Sequence, residues 1–178
     1  MIRKIGLFVV AAAGLACNQN LAGPTSDQAL PADIHKIAIR PVINKTQQFG
    51  LEDALAPAIR DEFLHDGRCS IVPEKDADGL VMLTLTRYTV LPIQYDSNLN
   101  PTGYKLTIYA DLQFLDRAKN IMLWTEKDMP GIQVYPAQNL SGGMSEGQAQ
   151  ALIWDNLSRD VVARVIDGFS APVVAPVH

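Results

Sequence analysis

The sequence predicts an α+β domain: two amphipathic helices packed on one face of a mostly antiparallel four-stranded sheet. Three observations carry this reading. From Leu106 to Phe114 apolar residues fall at every second position, with Lys105, Thr107, Tyr109, Asp111 and Gln113 between them, which is the side-chain period of a strand with one buried face. Leu51–Asp66 and the stretch after Ser145 instead carry apolar residues every fourth position, the stripe of a helix laid on a core. At 178 residues, 48% of them apolar, the chain has material for one such core and is short of two.

Taken in order, the chain opens with Arg3 and Lys4 ahead of an apolar run, Ile5–Leu15, that is too short to span a bilayer as a helix. Residues 1–16 therefore read as a signal peptide. The run ends at Leu15-Ala16-Cys17, which resembles the lipobox of bacterial lipoproteins, with Gly14 three places before the cysteine and Leu15 one place late. In those proteins the cysteine becomes the acylated mature N-terminus, and several acyl chains hold a protein firmly on a membrane. The alternative is an ordinary exported protein cleaved next to a cysteine. With Cys17 acylated, Cys69 is expected to be a buried, inert thiol; otherwise a Cys17–Cys69 disulfide stays open. Residues 17–33, rich in Asn, Gln, Gly, Pro and Ser, form a tether.

The folded domain is expected over 34–169. His35–Val42 alternates as a first strand, and Pro41 marks a strand end or edge. Asn44–Gly50 is a polar connection. Leu51, Leu55, Ile59 and Phe63 then form a helical stripe with Ala58 and Leu64 beside it, and Gly67 is placed to end the helix in a left-handed conformation. Pro57 predicts either a kink or a late start capped by Asp53. Cys69–Val72 suits a short strand and Pro73–Asp78 a charged loop.

Gly79–Leu91 reads as a long strand. Val81, Leu83 and Leu85 line one face, continued by Arg87, with Met82, Thr84, Thr86 and Tyr88 on the other. Pro92 is expected to end it, and Ile93–Gly103 reads as a loop. The hairpin Gly103–Lys127 turns at Asp116-Arg117-Ala118-Lys119-Asn120. Met129–Met144, with Pro130, Pro136 and Gly142-Gly143, reads as a long surface loop, a kind that is more often functional than idle. Ser145 with Gln148 makes a capping box for a last helix through Ala149, Ile153, Leu157, Val161 and Val165, which Gly168 stops. Residues 170–178, with two prolines, are expected to be disordered.

Charge and motif content narrow the function classes. Without Arg3 and Lys4 the chain keeps 13 basic residues against 19 acidic ones, a balance that argues against nucleic-acid binding. His35, His65 and His178 have no metal-ligand spacing, and no phosphate loop, nucleophile elbow or paired catalytic carboxylates stand out. No enzyme, metal or cofactor is expected.

Four stretches together resemble the LptE family of outer-membrane lipopolysaccharide-assembly lipoproteins: IAIRPVINKT (Ile37–Thr46), LEDALAPAIRDEFLHDGRCSIV (Leu51–Val72), YKLTIYADLQFLDRAKNIMLW (Tyr104–Trp124), and the C-terminal helix ending in Asp167-Gly168-Phe169. The resemblance implies two helices on a four-stranded sheet and a lipid anchor at Cys17. It also implies a place within the lumen of an LptD-like outer-membrane β-barrel, which such proteins plug and help assemble, and contact with lipopolysaccharide through basic side chains. Candidates for that contact are Arg117 and Lys119 at the hairpin turn, Lys105 on its polar face and Arg87 on the long strand, each capable of charge-assisted hydrogen bonds to phosphate. For any one of them an ordinary solvated charge is the competing account. A different class also fits the opening strand with Asn44-Lys45-Thr46: envelope lipoproteins that bind and activate a peptidoglycan synthase. Those reach their partners on longer tethers, whereas fourteen flexible residues span only about 20 Å.

Overall fold

The computed structural model describes residues 30–168; the signal peptide, Cys17, most of the tether and the C-terminal tail lie outside the described residues. Within them the order is β1 (Lys36–Ile39), β2 (Ile43–Asn44), α1 (Leu51–Asp66), β3 (Ser70–Ile71), a single 3-10 turn (Glu74–Asp76), β4 (Gly79–Tyr95), β5 (Pro101–Asp116), β6 (Ile121–Pro136) and α2 (Glu146–Asp167). The sheet is mixed and has six strands where the sequence predicts four. Its order is β3-β1-β4-β5-β6, with β2 also on β4. The pairs β1–β3, β1–β4 and β2–β4 are parallel, and the long β4–β5–β6 meander is antiparallel. Strand β3 falls within the short strand expected over Cys69–Val72, whereas β2, also two residues long, is too short for a periodicity to announce it.

Both helices share one core with one sheet face. Leu55, Ile59 and Phe63 of α1, and Ala149, Ile153, Leu157, Val161 and Val165 of α2, are fully buried against Val81, Leu83 and Leu85 of β4 and the alternating Leu106–Phe114 set of β5. Phe114 stacks on Trp124 of β6 at 5.1 Å between ring centres. Leu64, expected beside the α1 stripe, points outward instead and is 62% exposed.

Pro57 neither delays nor ends α1. The helix begins at Leu51 with Gly50, at φ 81°, in the N-cap position, so the late start capped by Asp53 does not occur, and it runs through Pro57. An interior proline costs about 3 kcal/mol. Burying each of Leu51, Leu55, Ile59 and Phe63 returns roughly 1.5–3 kcal/mol, so the stripe outweighs the lost backbone bond. Gly67 ends α1 in the left-handed conformation at φ 72°, and Ser145 with Gln148 forms the reciprocal capping box of α2.

The first and last described residues meet at one end of the sheet. Leu30 donates its N–H to the Ile166 carbonyl at 3.1 Å, so the tether is already held to the domain there. Arg68 then ties Asp66 at the end of α1 to Asp167 at the end of α2. Asp78 accepts hydrogen bonds from the N–H groups of His35 (3.1 Å) and Lys36 (2.9 Å), which fixes the start of β1 beside β4. Cys69 is buried, and desolvation raises its thiol pKa, as befits an inert packing residue.

Two strands run longer than the sequence predicts. Pro92 does not end β4, which continues to Tyr95, because β2 leaves β4 at Leu85 and β4 is an edge strand beyond that point. The loop shrinks to Asp96–Asn100, where the Asp96 carboxylate accepts from the N–H groups of Asn98 and Asn100, both at 2.8 Å. Likewise Met129–Pro136 is strand rather than loop, paired to β5 through Pro136. Gly131 lies under α2 at that crossing: a Cβ there would stand 2.4 Å from Ile153 Cγ2. Gly131→Ala is therefore expected to destabilise the domain by about 1–3 kcal/mol, an overpacking cost, measured as a lowered midpoint in urea unfolding.

Candidate functional surface: the uncovered face of the sheet

The helices cover one face only. At the end of the sheet near the 117–120 turn the opposite face is closed by a small cluster of Ala38, Ala77 and Leu80 with Val72 and Leu115 packed on it. Further along the meander nothing among the described residues covers it.

Two bulges decide which side chains reach this open face. Leu85 faces Ala110, but the next pair is Arg87 with Tyr109, so Thr86 is an extra residue in β4. On the other side of β5, Leu112 faces Glu126 and Ala110 faces Met129, so β6 also gains a residue. Asp128 sits in this second bulge at φ 53°, its N–H bonded to Asp111 Oδ1 at 2.9 Å. Each inserted residue turns the rest of its strand over. Arg87, expected on the apolar face, thus stands on the open one, and Tyr88 turns to the helix side. There its hydroxyl meets Glu146 and Gln150, and desolvation first, then Glu146, pushes its pKa well up.

Beyond the bulges the open face is a grid of three cross-strand rows: Arg87–Tyr109–Pro130, Thr89–Thr107–Ile132 and Leu91–Lys105–Val134. The Arg87 guanidinium lies 4.0 Å over the Tyr109 ring and 3.0 Å from Asp128 Oδ1. Leu91, Ile132 and Val134 are 54%, 46% and 52% exposed, a concentration of apolar side chains unusual for solvated strands. Lys105 is half-buried between Leu91 and Val134 and forms no ion pair among the described residues. A polar cleft of about 450 Å³ lined by Lys45, Thr46, Gln48, Thr86 and Arg87 borders the first row. Among the described residues no three metal-ligating side chains converge.

The four candidate cations do not form one site. Lys105 and Arg87 lie four positions apart on the grid, whereas Arg117 is twelve residues of β5 from Lys105, about 40 Å. Lys119 is engaged by two carboxylates, Asp33 at 2.6 Å and Asp116 at 3.0 Å, and the first of these contributes most to raising its pKa. Arg117 holds the turn against β4: its N–H bonds Asp78 O at 2.8 Å and its Nη1 approaches Ala77 O at 3.4 Å. At this turn, then, Lys119 joins the entry segment at Asp33 to the sheet and Arg117 ties the turn to residues 77–78. Ile132 and Val134 fall in the stretch expected to be a functional loop and stand instead on β6, as the β-branched and aromatic run Ile132-Gln133-Val134-Tyr135 signals, whereas no sequence pattern singles out Leu91.

With the geometry in view, comparison with known proteins becomes decisive at one point: the family model described as LptE, lipopolysaccharide-assembly, matches residues 34–167. The chain belongs to the LptE family. The match spans every element from β1 to α2. Solved structures share the fold at low identity. The hypothetical protein CT253 from Chlamydia trachomatis is 13% identical with a TM-score of 0.52, over 74% of this chain and 95% of that one. Protein XCC0632 from Xanthomonas campestris is 11% identical with a TM-score of 0.52, over 82% and 90%. PelC from Paraburkholderia phytofirmans, a dodecamer, is 14% identical with a TM-score of 0.50, over 80% and 94%. No curated protein sequence matches the chain.

The turn also yields a pH test. Asp116 is buried, and the backbone N–H of Lys119 (2.9 Å), then its ammonium, hold the carboxyl below the usual range. A lowered folded pKa contributes stability above the unfolded value of about 3.9, lost as pH falls through the folded one. Asp116→Asn is therefore expected to lower the melting temperature at pH 7, with the deficit shrinking progressively as pH falls below about 3.9 and through the lower folded value, followed by circular dichroism.

Proposed function

We propose that this protein is a lipid-anchored component of the outer membrane, held there through Cys17. In this reading it occupies the lumen of an LptD-like β-barrel, helps that barrel assemble, and meets lipopolysaccharide on its way to the cell surface. The observation that carries the reading is the LptE family match over the whole folded domain. An open sheet face with exposed apolar rows and a lysine lacking a carboxylate supports it, because such a face suits burial against a partner.

Among the candidate cations, Lys105 and Arg87 are the better lipopolysaccharide contacts. Arg87 and Asp128 are both largely exposed, and a pair of that kind is worth only about 0–1 kcal/mol, so a phosphate displaces the carboxylate easily. Lys119 would have to leave Asp33 and the buried Asp116. Because the chain enters the domain beside the 117–120 turn, a lipid at Cys17 would keep that end near the bilayer and direct the Lys105 row away from it.

The test is purification of the tagged protein from its native outer membrane in mild detergent. A large β-barrel in near-equal amount is the expected companion, and Lys105→Glu is expected to reduce its recovery while leaving the monomer's unfolding midpoint unchanged. Recovery of a peptidoglycan synthase in place of a barrel would move the protein to the activator class.

A further inference from the structure

The outer edge of the sheet carries more information than its face. Strand β6 is the last strand in the order, so among the described residues the backbone groups on its far side have no strand to meet. Which groups those are follows from one bond and the register. Ala137 donates its N–H to the Thr102 carbonyl at 2.9 Å, and the β5–β6 register is unbroken from Gly103–Pro136 to Ala110–Met129. Antiparallel residues alternate between bonding their neighbour and pointing away from it. Hence Gly131, Gln133 and Tyr135 bond β5, while Pro130, Ile132, Val134 and Pro136 direct their backbone outward.

Other contacts agree with this parity. Pro130, which has no N–H, falls on the outward side, where an edge strand tolerates proline. The Pro136 carbonyl is met from outside by the N–H of Met144 at 3.2 Å, and the Val134 carbonyl by the Gln133 side-chain amide at 2.9 Å. What is left is a short open stretch: the N–H groups of Ile132 and Val134 and the carbonyls of Pro130 and Ile132. Chains usually blunt such an edge with charge. Here the outward residues are the exposed, apolar Ile132 and Val134, while the charged Lys127 and Asp128 lie back at the bulge.

We infer that the β6 edge from Pro130 to Val134 is a strand-addition site, taking an extended apolar segment of the partner barrel's own chain. Only another extended backbone presents donors and acceptors at the spacing of these groups. Apolar side chains on the added strand would extend the Ile132 and Val134 rows. The inference rests on the proposed function for the identity of the partner and adds which edge it uses.

The test uses the full chain co-expressed with the LptD-like barrel of its own organism and purified as a complex. Amide hydrogen exchange of Ile132 and Val134 is compared in the free chain and in the complex. The expected result is at least tenfold slower exchange at both amides in the complex. Val134→Pro deletes one outward N–H and leaves every β5 bond in place, so it is expected to keep the free chain's unfolding midpoint and to weaken the complex about tenfold. A complex in which the two amides exchange as in the free chain overturns the inference and leaves the proposed function standing. Failure to form any complex overturns both. Protection that instead rises with the concentration of the free chain would assign the edge to a second copy and overturn the barrel-strand version.

Discussion

Strand β5 is paired on both sides along nearly its whole length, and its side chains at Leu106, Ile108, Ala110, Leu112 and Phe114 are fully buried. No other element is constrained so heavily. A slip of one residue would bring Lys105, Thr107, Tyr109, Asp111 and Gln113 under the helices, exchanging an apolar face for buried, unpaired polar groups at several kcal/mol each. The register of β5 thereby fixes where both helices lie. Its neighbours adapt to it: β4 and β6 each absorb one extra residue at the level of Tyr109–Asp111, and the open face beyond is the outcome of those two insertions.

The end of the sheet near the chain entry is built differently. There polar groups do the joining. Arg68 spans Asp66 and Asp167, Lys119 spans Asp33 and Asp116, and Asp78 receives the backbone of His35 and Lys36. Most of these side chains are half exposed, so their energetic weight is modest and their work is orientation. The far end of the meander has the opposite character, with exposed Leu91, Ile93, Tyr95, Ile132 and Val134 and few ion pairs. A gradient from polar fastening to apolar exposure along one sheet suits a protein fixed at one end and buried in a partner at the other.

The fold class, both helices and the central hairpin were legible because their signals are long and periodic. The α1 stripe, the capping box and the Leu106–Phe114 alternation each repeat a local rule several times over. What was not legible depended on pairing. Pro92 and Pro130 look like strand breakers in isolation, and become acceptable only because β2 stops at Leu85 and because β6 is outermost. The bulges at Thr86 and at Lys127–Asp128 leave no mark on composition, yet they move Arg87 onto the open face and Tyr88 off it. Lys105, Arg117 and Lys119 stand on the polar strand face and at the turn where the sequence places them, and only Arg87 changes face; the engagement of Lys119 with Asp33 joins residues far apart in sequence, which no local pattern reports.

Membership of the LptE family and an uncovered sheet face that exposes Leu91, Ile132 and Val134 support one central proposal: that the open face of the meander is the surface buried against the β-barrel. Site-specific photo-crosslinking in native membranes tests it most directly, with the probe placed in turn at Leu91, at Val134 and, on the outer side of α2, at Leu152. The account predicts adducts with a large outer-membrane barrel from Leu91 and Val134 and none from Leu152. Adducts from Leu152 alone would contradict it, since the helical side would then be the face in contact.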